Sequence, residues 1–481
     1  MLEPRPLLLV DVVGLTPSLL GENTPHINAL LGRGRMACMQ PVFPAVTTTV
    51  QSSMLTGLPP SGHGIVGNGW YFRDQAEVRF WLQPNALVQG EKVWEVLARE
   101  LPGFRCSQLF WWYNMYADVG ASITPRPHYP ADGRKEFGLY SSPDGLHQAI
   151  ERRIGTFPFQ HFWGPAAGIG SSRWIVDCAM AEFEINRPHL QLVYLPHLDY
   201  DLQRLGPDHP GIAAEVRAID AEVGRLLAFA QARGAAVMLV SEYGIEAVER
   251  SISINRLLRA DGWLQVRHSL GWELLDPGAS AAFAVADHQV AHIYLRREQD
   301  LPRVRTLLEC EPGIERVLDR AQQRAWQLEH PRSGDLVAIA APGHWFDYQY
   351  WFDDDKAPDF ARTVDIHRKP GYDPLELFID PAITLPKLRV ARRLLRKKLG
   401  FRYYMDLIPL DTRLVRGSHG RLPRSDQDGP LLITDCDLPL PDRLPVTAVK
   451  QLLLQYFLGH RTLDKAIAKE TPCNEPFPLQ Y

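Results

Sequence analysis

Cysteine is scarce in this chain. Six cysteines are spread over 481 residues, and no two of them form a C-x-x-C pair. This spacing argues against both a disulfide framework and a thiolate zinc site. We expect the cysteines to be small, buried apolar side chains.

The chain also lacks long apolar runs and an excess of positive charge. No run approaches the roughly twenty residues that a membrane span requires, and the first residues lack the pattern of a secretory signal. The formal net charge is −4, which supplies no general basic field for a nucleic-acid backbone. We expect a cytoplasmic protein with no membrane span and no nucleic-acid polymer as partner. The oligomeric state is left open.

The composition is that of an ordinary globular protein. Hydrophobic residues make up 45% of the chain and charged residues 22%, which is enough apolar material for a large core. One large domain with insertions fits this length as well as two or three domains do.

Strand and helix patterns alternate along much of the chain. Strands are predicted at residues 7–10, 104–109, 190–195 and 235–240, and helices at residues 24–32, 91–100, 174–184 and 211–233. Such alternation is typical of a mostly parallel sheet with helices on both faces. We therefore predict an α/β fold.

Two segments interrupt this alternation. We predict core at residues 1–250, a cap-like insertion with its own small sheet at 251–335, a return to the core at 336–352, a second insertion at 353–414, the last core segment at 415–460, and a tail at 461–481. The second insertion contains a basic helix pattern at residues 388–399. That helix could face an anionic partner or a membrane surface, or it could simply be a solvated face.

The first strand carries a candidate site residue. The apolar run at residues 7–10 stops at Asp11, so this carboxylate should lie at the carboxyl edge of the sheet, where ligands bind in open α/β folds. Thr47 opens a Thr triplet further along the chain. A Thr hydroxyl is a poor nucleophile at neutral pH unless a base or a metal ion activates it.

Three segments together resemble the alkaline phosphatase superfamily, in its nucleotide pyrophosphatase/phosphodiesterase branch. They are LLVD at residues 8–11, Thr47 with MLTG at residues 54–57, and HGIVGN at residues 63–68. The resemblance implies that Thr47 is the nucleophile that becomes phosphorylated or nucleotidylated. It also implies that Asn68 donates its amide to a phosphate oxygen. Thr48 and Thr49 are rival nucleophiles.

The resemblance further implies a set of metal ligands, with departures from the family pattern. The matching positions are Asp11, Asp199, Gln203, Glu242, Tyr243 and His419. Gln203 stands where the family has a His, and Glu242 and Tyr243 stand where it has an Asp-His pair. His288 and His367 lie near carboxylates in the sequence and are possible additional ligands, although each could equally be a structural histidine.

These departures affect the expected cofactor. The resemblance implies one or two divalent metal ions per chain, with zinc first. A neutral Gln is a weak zinc ligand and a Tyr phenolate an uncommon one, so manganese, iron or magnesium are alternatives.

The resulting expectation is a metal-dependent hydrolase of phosphodiester or related phosphoryl bonds in a small phosphate-ester substrate. It would act through a covalent phospho-enzyme intermediate on Thr47. Two alternatives stay open: a catalytically degenerate member of the fold that binds a metal or ligand, and a phosphonate or phosphomonoester hydrolase.

Overall fold

The computed structural model describes residues 5–131 and 135–459. Its strands, in chain order, are β1 (Leu7–Val12), β2 (Arg35–Gln40), β3 (Gly69–Phe72), β4 (Glu77–Phe80), β5 (Cys106–Leu109), β6 (Ala121–Pro125), β7 (Leu139–Ser142), β8 (Leu190–Leu195), β9 (Ala236–Val240), β10 (Glu246–Ala247), β11 (Arg250–Ile252), β12 (Val266–Ser269), β13 (Trp272–Leu275), β14 (Ala282–Asp287), β15 (Val290–Leu295), β16 (Ile314–Leu318), β17 (Leu336–Ala340), β18 (His344–Phe346), β19 (Gly417–Ser418), β20 (Leu431–Thr434) and β21 (Arg443–Pro445).

The α-helices are α1 (Pro25–Arg33), α2 (Thr47–Thr56), α3 (Pro60–His63), α4 (Val93–Glu100), α5 (Leu146–Ile154), α6 (Ile169–Asn186), α7 (His197–Leu205), α8 (Ile212–Ala232), α9 (Ile254–Ala260), α10 (Leu301–Glu309), α11 (Arg320–Ala325), α12 (Pro386–Lys398) and α13 (Ala448–Leu458). Short 3-10 turns connect several of them.

The central sheet has the strand order β21-β2-β20-β9-β1-β8-β5-β6-β7. Strand β1 lies parallel to both β8 and β9, and β5 lies parallel to β8 and β6. Strands β20 and β7 run antiparallel to their neighbours. The predicted α/β fold with a mostly parallel sheet is confirmed.

Strand β1 is buried on both faces, which explains its unbroken apolar run. Leu8 and Val10 face a core layer that includes residues of α6 and α8. Leu7 and Leu9 face a second layer that includes residues of α2, α4 and α13. Successive side chains of a strand point to opposite faces, so one short run fills two cores.

The carboxyl ends of the three central strands meet at one edge of the sheet. In β1, Asp11 is in register with Tyr194 of β8 and with Val240 of β9. Glu242 follows two residues after Val240, and α7 begins directly after β8. Chain segments that are distant in sequence therefore bring their polar residues to the same place.

A second sheet, with strand order β14-β15-β17-β16, forms the cap-like unit. It includes Leu336–Ala340, which lies in the segment predicted to return to the core, so the unit extends five residues past the predicted end at 335. This strand is an apolar run buried along its whole length. Such a run can be the central strand of either sheet, so its composition does not assign it.

The second predicted insertion has no strand between residues 353 and 414 and contains α12. The predicted tail at 461–481 lies outside the described residues. Among the described helices, none is both long and apolar enough to cross a membrane. The expectation of buried cysteines holds for Cys106, Cys178 and Cys436, whereas Cys310 is exposed and Cys38 is half-buried. Cys473 lies outside the described residues.

Candidate active site

Thr47 is the first residue of α2, directly beyond the carboxyl edge of the central sheet. The helix ends at Gly57, whose φ of 72° is readily adopted only by glycine. The neighbouring Thr48 donates its hydroxyl hydrogen to the carbonyl of Gly67 at 2.9 Å. Thr47 lines the large cavity described below, and Thr48 and Thr49 are not among its lining residues. This placement favours Thr47 over its two rivals.

The Thr47 hydroxyl belongs to a chain of three side chains. Its Oγ1 lies 3.0 Å from Oη of Tyr243, and Tyr243 donates its phenolic hydrogen to Oδ1 of Asp199 at 3.2 Å. Because the phenolic hydrogen points to Asp199, the Thr47 hydroxyl is the donor in its contact with Tyr243. The arrangement leads from a hydroxyl through a phenol to a carboxylate.

Asp11 and Glu242 form a pair of buried carboxyl groups. They lie next to each other, and the side-chain amide of Gln51 donates to both, at 3.2 Å to Oδ2 of Asp11 and 2.7 Å to Oε1 of Glu242. Thr47 also lies beside Glu242 and partly offsets the rise in the pKa of that carboxyl group. Gln51 lies four residues after Thr47 in α2, so both side chains project from one face of the helix.

Asp199 and Gln203 project from adjacent turns of α7. The Gln203 amide donates to Oδ2 of Asp199 at 2.6 Å, and the phenol of Tyr372 donates to Oε1 of Gln203 at 3.0 Å. With Tyr243 on Oδ1, both oxygens of Asp199 accept hydrogen bonds from neutral groups. Gln203 is fully buried, and its amide is satisfied on both sides.

Two histidines and two tyrosines stack beside this network. The ring of His419 lies 3.6 Å from those of Tyr243 and His288, and His288 stacks in turn on Tyr372 at 3.6 Å. Nδ1 of His419 lies 2.8 Å from the carbonyl of Ala45, to which it donates, and this leaves Nε2 with a lone pair. That nitrogen is 3.8 Å from Oδ1 of Asp199.

Asn68 lies behind the first turn of α2. Its side-chain oxygen accepts from the backbone N–H of Thr48 at 3.1 Å, and its amide donates to Asp287 at 3.1 Å. Its backbone N–H also donates to Asp287, at 2.7 Å. Asp287 ends β14, so the cap-like unit holds this loop against the start of α2.

The site is a buried cluster of acidic groups. Within residues 5–131 and 135–459, no Lys or Arg forms an ion pair with Asp11, Asp199, Glu242 or Asp287. Burial raises the pKa of Asp11, Asp199 and Asp287 to about 7 each. Burial and the nearby charge of Asp11 raise the pKa of Glu242 well above its usual value. Such a cluster binds protons or cations.

Nearby, burial lowers the pKa of His419 to about 3. Burial and the adjacent His419 also hold the pKa of His288 well below its usual value. Both imidazoles are therefore neutral at physiological pH.

The resemblance implies two metal positions, the first at Asp11 and Glu242 and the second at Asp199 and His419, and their donor sets differ. Oδ1 of Asp11 and Oε2 of Glu242 are buried oxygens without a hydrogen-bond partner among the described residues. With the Thr47 hydroxyl they form an all-oxygen set, which suits a hard cation such as magnesium or manganese. At the second position Tyr243 and Gln203 already saturate Asp199, and a cation there would displace their hydrogen bonds. Among the described residues, no group of three or more His, Cys, Asp or Glu side chains could hold a metal ion.

A cavity of about 460 Å³ opens onto this network. Thr47, Asp199, Tyr243, His288 and His419 all line it. Most of the remaining wall is aromatic or aliphatic, and the larger of these side chains are Trp81, Trp112, Phe137, Phe159, Phe162, Trp163, Tyr372, Ile379, Leu394, Tyr403, Met405 and Leu407. Few basic side chains line it, namely Arg126, Lys135 and Lys397.

The two additional candidate ligands differ in position. His288 lies inside the network, stacked between His419 and Tyr372. His367 lines the cavity, and its Nδ1 is 3.4 Å from the carbonyl of Phe80. Asp373, one of the carboxylates near His367 in the sequence, is ion-paired with buried Lys369 at 2.7 Å.

Two further members of the network, Gln51 and Tyr372, were missed from the sequence. The spacing of four residues between Thr47 and Gln51 was a usable signal once α2 was recognised as a helix. Tyr372 arrives from the second insertion, and no motif marks it.

The sequence profile of a family described as type I phosphodiesterase / nucleotide pyrophosphatase matches residues 7–373. An uncharacterized pyrophosphatase/phosphodiesterase of Schizosaccharomyces pombe is 24% identical over 278 residues, which are 54% of this chain and 47% of that protein. The chain thus spans about half the length of this curated relative.

Two solved structures share the fold at low identity. Phosphonoacetate hydrolase from Sinorhizobium meliloti 1021, in complex with phosphonoformate, has a TM-score of 0.59 at 15% identity, covering 94% of this chain and 95% of that one. An inactive variant of murine ectonucleotide pyrophosphatase / phosphodiesterase 5, in complex with AMP, has a TM-score of 0.57 at 14% identity, covering 95% of both chains.

Proposed function

Because the chain belongs to the type I phosphodiesterase / nucleotide pyrophosphatase family of hydrolases, we propose that it cleaves a phosphodiester or related phosphoryl bond with Thr47 as the nucleophile. The observation that carries this proposal is the chain of hydrogen bonds from Thr47 through Tyr243 to Asp199. A nucleophile next to a base that a third group orients is the arrangement required for covalent catalysis.

In the proposed first step, Oγ1 of Thr47 attacks phosphorus and the bond to the leaving oxygen breaks. The Thr47 proton passes to Oη of Tyr243 while the phenolic proton passes to Oδ1 of Asp199. Solvent protonates the leaving oxygen. Tyr243 remains neutral overall, and the proton resides on Asp199.

In the second step, water attacks the phosphorylated Thr47. Asp199 returns its proton to Tyr243, Tyr243 returns one to the departing Thr47 oxygen, and the proton of the attacking water leaves to solvent. Two displacements at phosphorus retain its configuration. The positive end of α2, which begins at Thr47, favours a phosphoryl group at this place.

Asn68 has a restricted role in this proposal. One hydrogen of its amide is committed to Asp287, so only the second could reach a phosphoryl oxygen. Its carbonyl holds the backbone of Thr48, and this fixes the first turn of α2.

Asp11, Glu242 and the Thr47 hydroxyl would hold one divalent cation. When bound, such an ion lowers the pKa of a ligating hydroxyl and neutralises charge on the phosphoryl oxygens. The all-oxygen set favours magnesium or manganese, and the zinc expected from the family pattern stays a prediction. We propose one ion per chain.

The substrate class is proposed more broadly. One structural neighbour is a phosphonoacetate hydrolase and another was solved with AMP, so phosphonates and nucleotide esters are both reasonable first substrates. The cavity adds room for a large apolar group next to Thr47.

The proposal is tested by comparing Thr47→Ala, Thr48→Ala and Thr49→Ala on bis(4-nitrophenyl) phosphate with added magnesium or manganese. We expect Thr47→Ala to lose turnover by about a thousandfold or more while the two neighbours retain most of it. Full activity in Thr47→Ala would overturn the assignment.

A second function is favoured by one observation. Gln203 and Tyr243 are neutral groups that satisfy Asp199 completely, as expected in a member of the fold that binds a phosphate ester without cleaving it. That function predicts no turnover with any divalent ion. It also predicts that AMP or a phosphonate binds equally well to the wild type and to Thr47→Ala by calorimetry.

A further inference from the structure

Helix α12 carries an exposed stripe of leucines. Leu388 and Leu395 of α12 and Leu399, which directly follows the helix, lie within about 40° of one another around the helix axis. Their exposures are 63%, 55% and 62%. None of the residues of α12 is buried. Exposed apolar side chains that line up in this way mark a binding surface rather than random exposure.

The same helix is strongly basic. Its 13 residues contain seven Lys or Arg and no Asp or Glu, although the whole chain has a net charge of −4. Arg389 and Arg393 pair with Asp406, and Lys397 pairs with Glu136, so this side of the helix is attached to the protein. The remaining four basic residues have no ion-pair partner within residues 5–131 and 135–459, and they are Lys387, Arg392, Arg396 and Lys398.

These four cations flank the leucine stripe. At 100° per residue, Arg392 and Arg396 lie on one side of it, and Lys387 and Lys398 lie on the other. An apolar stripe bordered by unpaired cations is the pattern of a helix that lies in the interface of an anionic bilayer. Each cation near such a surface adds to binding.

The opposite side of α12 forms part of the cavity wall. Val390, Leu394 and Lys397 line the same cavity as Thr47 and Tyr243. A group held at Thr47 therefore shares one continuous space with a helix whose outer face is apolar and basic. The wall between them consists mainly of aromatic and aliphatic side chains.

We propose that α12 docks the protein on an anionic lipid surface, and that the cavity accepts the apolar chain of an amphiphilic phosphate ester taken from that surface. The docking part rests on α12 alone. The substrate part rests on the function proposed above, with the phosphoryl group at Thr47 and the chain along the wall that includes Leu394.

The docking part is tested by sedimentation of the full chain with vesicles of phosphatidylcholine alone or mixed with phosphatidylglycerol. We expect binding only to the mixed vesicles, with an affinity that falls as salt is added. A triple variant, Leu388→Ser with Leu395→Ser and Leu399→Ser, should bind about tenfold more weakly or worse. Leu270→Ser, which changes a still more exposed leucine in the turn between β12 and β13, should bind like the wild type.

Two results would overturn the docking proposal. One is equal or absent binding to both kinds of vesicle by a folded wild type. The other is the absence of vesicle binding together with a wild-type dimer, seen by sedimentation velocity, that the triple variant does not form. This result would assign the leucine stripe to a second copy of the chain. Thr47→Ala should bind vesicles like the wild type, so a failure of the catalytic proposal leaves this result unchanged.

The cavity part is tested by calorimetry with hexyl phosphate and dodecyl phosphate below their micellar concentrations. Dodecyl phosphate should bind about tenfold more tightly or better, because each added methylene is buried. Leu394→Ser should weaken this chain-length dependence while leaving vesicle binding in place. Equal affinity for the two esters in the wild type would overturn the substrate class, and neither measurement requires turnover.

Discussion

The phenol ring of Tyr243 stacks face to face on the imidazole of His419, with ring centroids 3.6 Å apart and an angle of 8° between the planes. The stack fixes the direction of the phenol, whose oxygen reaches both Thr47 and Asp199. Tyr243 stands where the family pattern has a metal-binding His. In this chain the position has become part of a hydrogen-bonded network.

The first prediction concerns this phenol. Tyr243→Phe keeps the ring stack and removes the oxygen that links Thr47 to Asp199, so kcat should fall about a hundredfold or more. Asp199→Asn should cause a similar loss, and the double variant should lose little beyond either single one. Tyr456→Phe, which removes a hydroxyl bonded to the carbonyl of Arg5, serves as the control. Unchanged kcat in Tyr243→Phe would remove the phenol from the mechanism.

The second prediction concerns the metal preference. Gln203→His combined with Tyr243→His should restore the imidazole ligands of the family pattern beside Asp199 and His419. Because imidazole suits zinc, the double variant should retain zinc through gel filtration. The wild type should retain less. Plasma mass spectrometry measures the zinc content of the wild type and of the double variant, each purified without chelators or a metal-affinity tag. Equal zinc content in the two proteins would contradict the prediction.

The third prediction concerns Gln51. Gln51→Leu removes the donor shared by the Asp11 and Glu242 carboxyl groups, so the free energy of unfolding should fall by about 1–3 kcal/mol in the presence of EDTA. Gln108→Leu is the matched control, since Gln108 is buried and its amide atoms have no hydrogen-bond partner among the described residues. That change should be neutral or stabilising. Denaturant unfolding measures the free energy of unfolding of both variants. An equal loss of this free energy in the two variants would refute the prediction.

The fourth prediction concerns pH and two buried histidines. In His292, Nδ1 accepts the backbone N–H of Gly334 at 3.0 Å and Nε2 lies 3.0 Å from the carbonyl of Val66. His63 has a similar arrangement: Nδ1 accepts the N–H of Ile65 at 3.1 Å, and Nε2 lies 2.8 Å from Oγ of Ser53. Both rings are therefore satisfied only when neutral, and burial lowers the pKa to about 4 in His292 and about 3 in His63.

Because the unfolded chain takes up these protons near pH 6.5 and the folded chain does not, the contribution of these two rings to stability should fall as the pH drops from about 6.5 toward 4. Each ring contributes a slope of at most about 1.4 kcal/mol per pH unit. His292→Gln should be less stable at pH 7 and less sensitive to acid. The exposed His268→Gln should keep the wild-type slope. Denaturant unfolding at several pH values measures the slope of stability against pH. An unchanged slope in His292→Gln would contradict the prediction.

The sequence predicted the fold and part of the site for identifiable reasons. Three sequence patterns each indicate a single type of element: the apolar run before Asp11, the amphipathic pattern of α8 and the apolar run of β9. Together these elements place Asp11 and Glu242 at one edge of the sheet. The segment after Leu195 forms α7, whose helical spacing puts Asp199 and Gln203 one turn apart.

Other features depend on tertiary contacts that a single sequence does not encode locally. Tyr372 reaches Gln203 from an insertion 169 residues further along the chain. The strand Leu336–Ala340 joins the cap-like sheet because of its neighbours rather than its composition. Gln51 belongs to no motif and acquires its role only where two strand ends meet α2.

The most direct test of the central claim is mass spectrometry of the peptide containing Thr47, after acid quench of the wild type during turnover of bis(4-nitrophenyl) phosphate with magnesium or manganese. The account predicts a phosphoryl or 4-nitrophenylphosphoryl adduct on Thr47, in an amount that rises with substrate concentration, and no adduct in Thr47→Ala. Turnover without any adduct on this peptide, or with the adduct on Thr48 or Thr49, would contradict it.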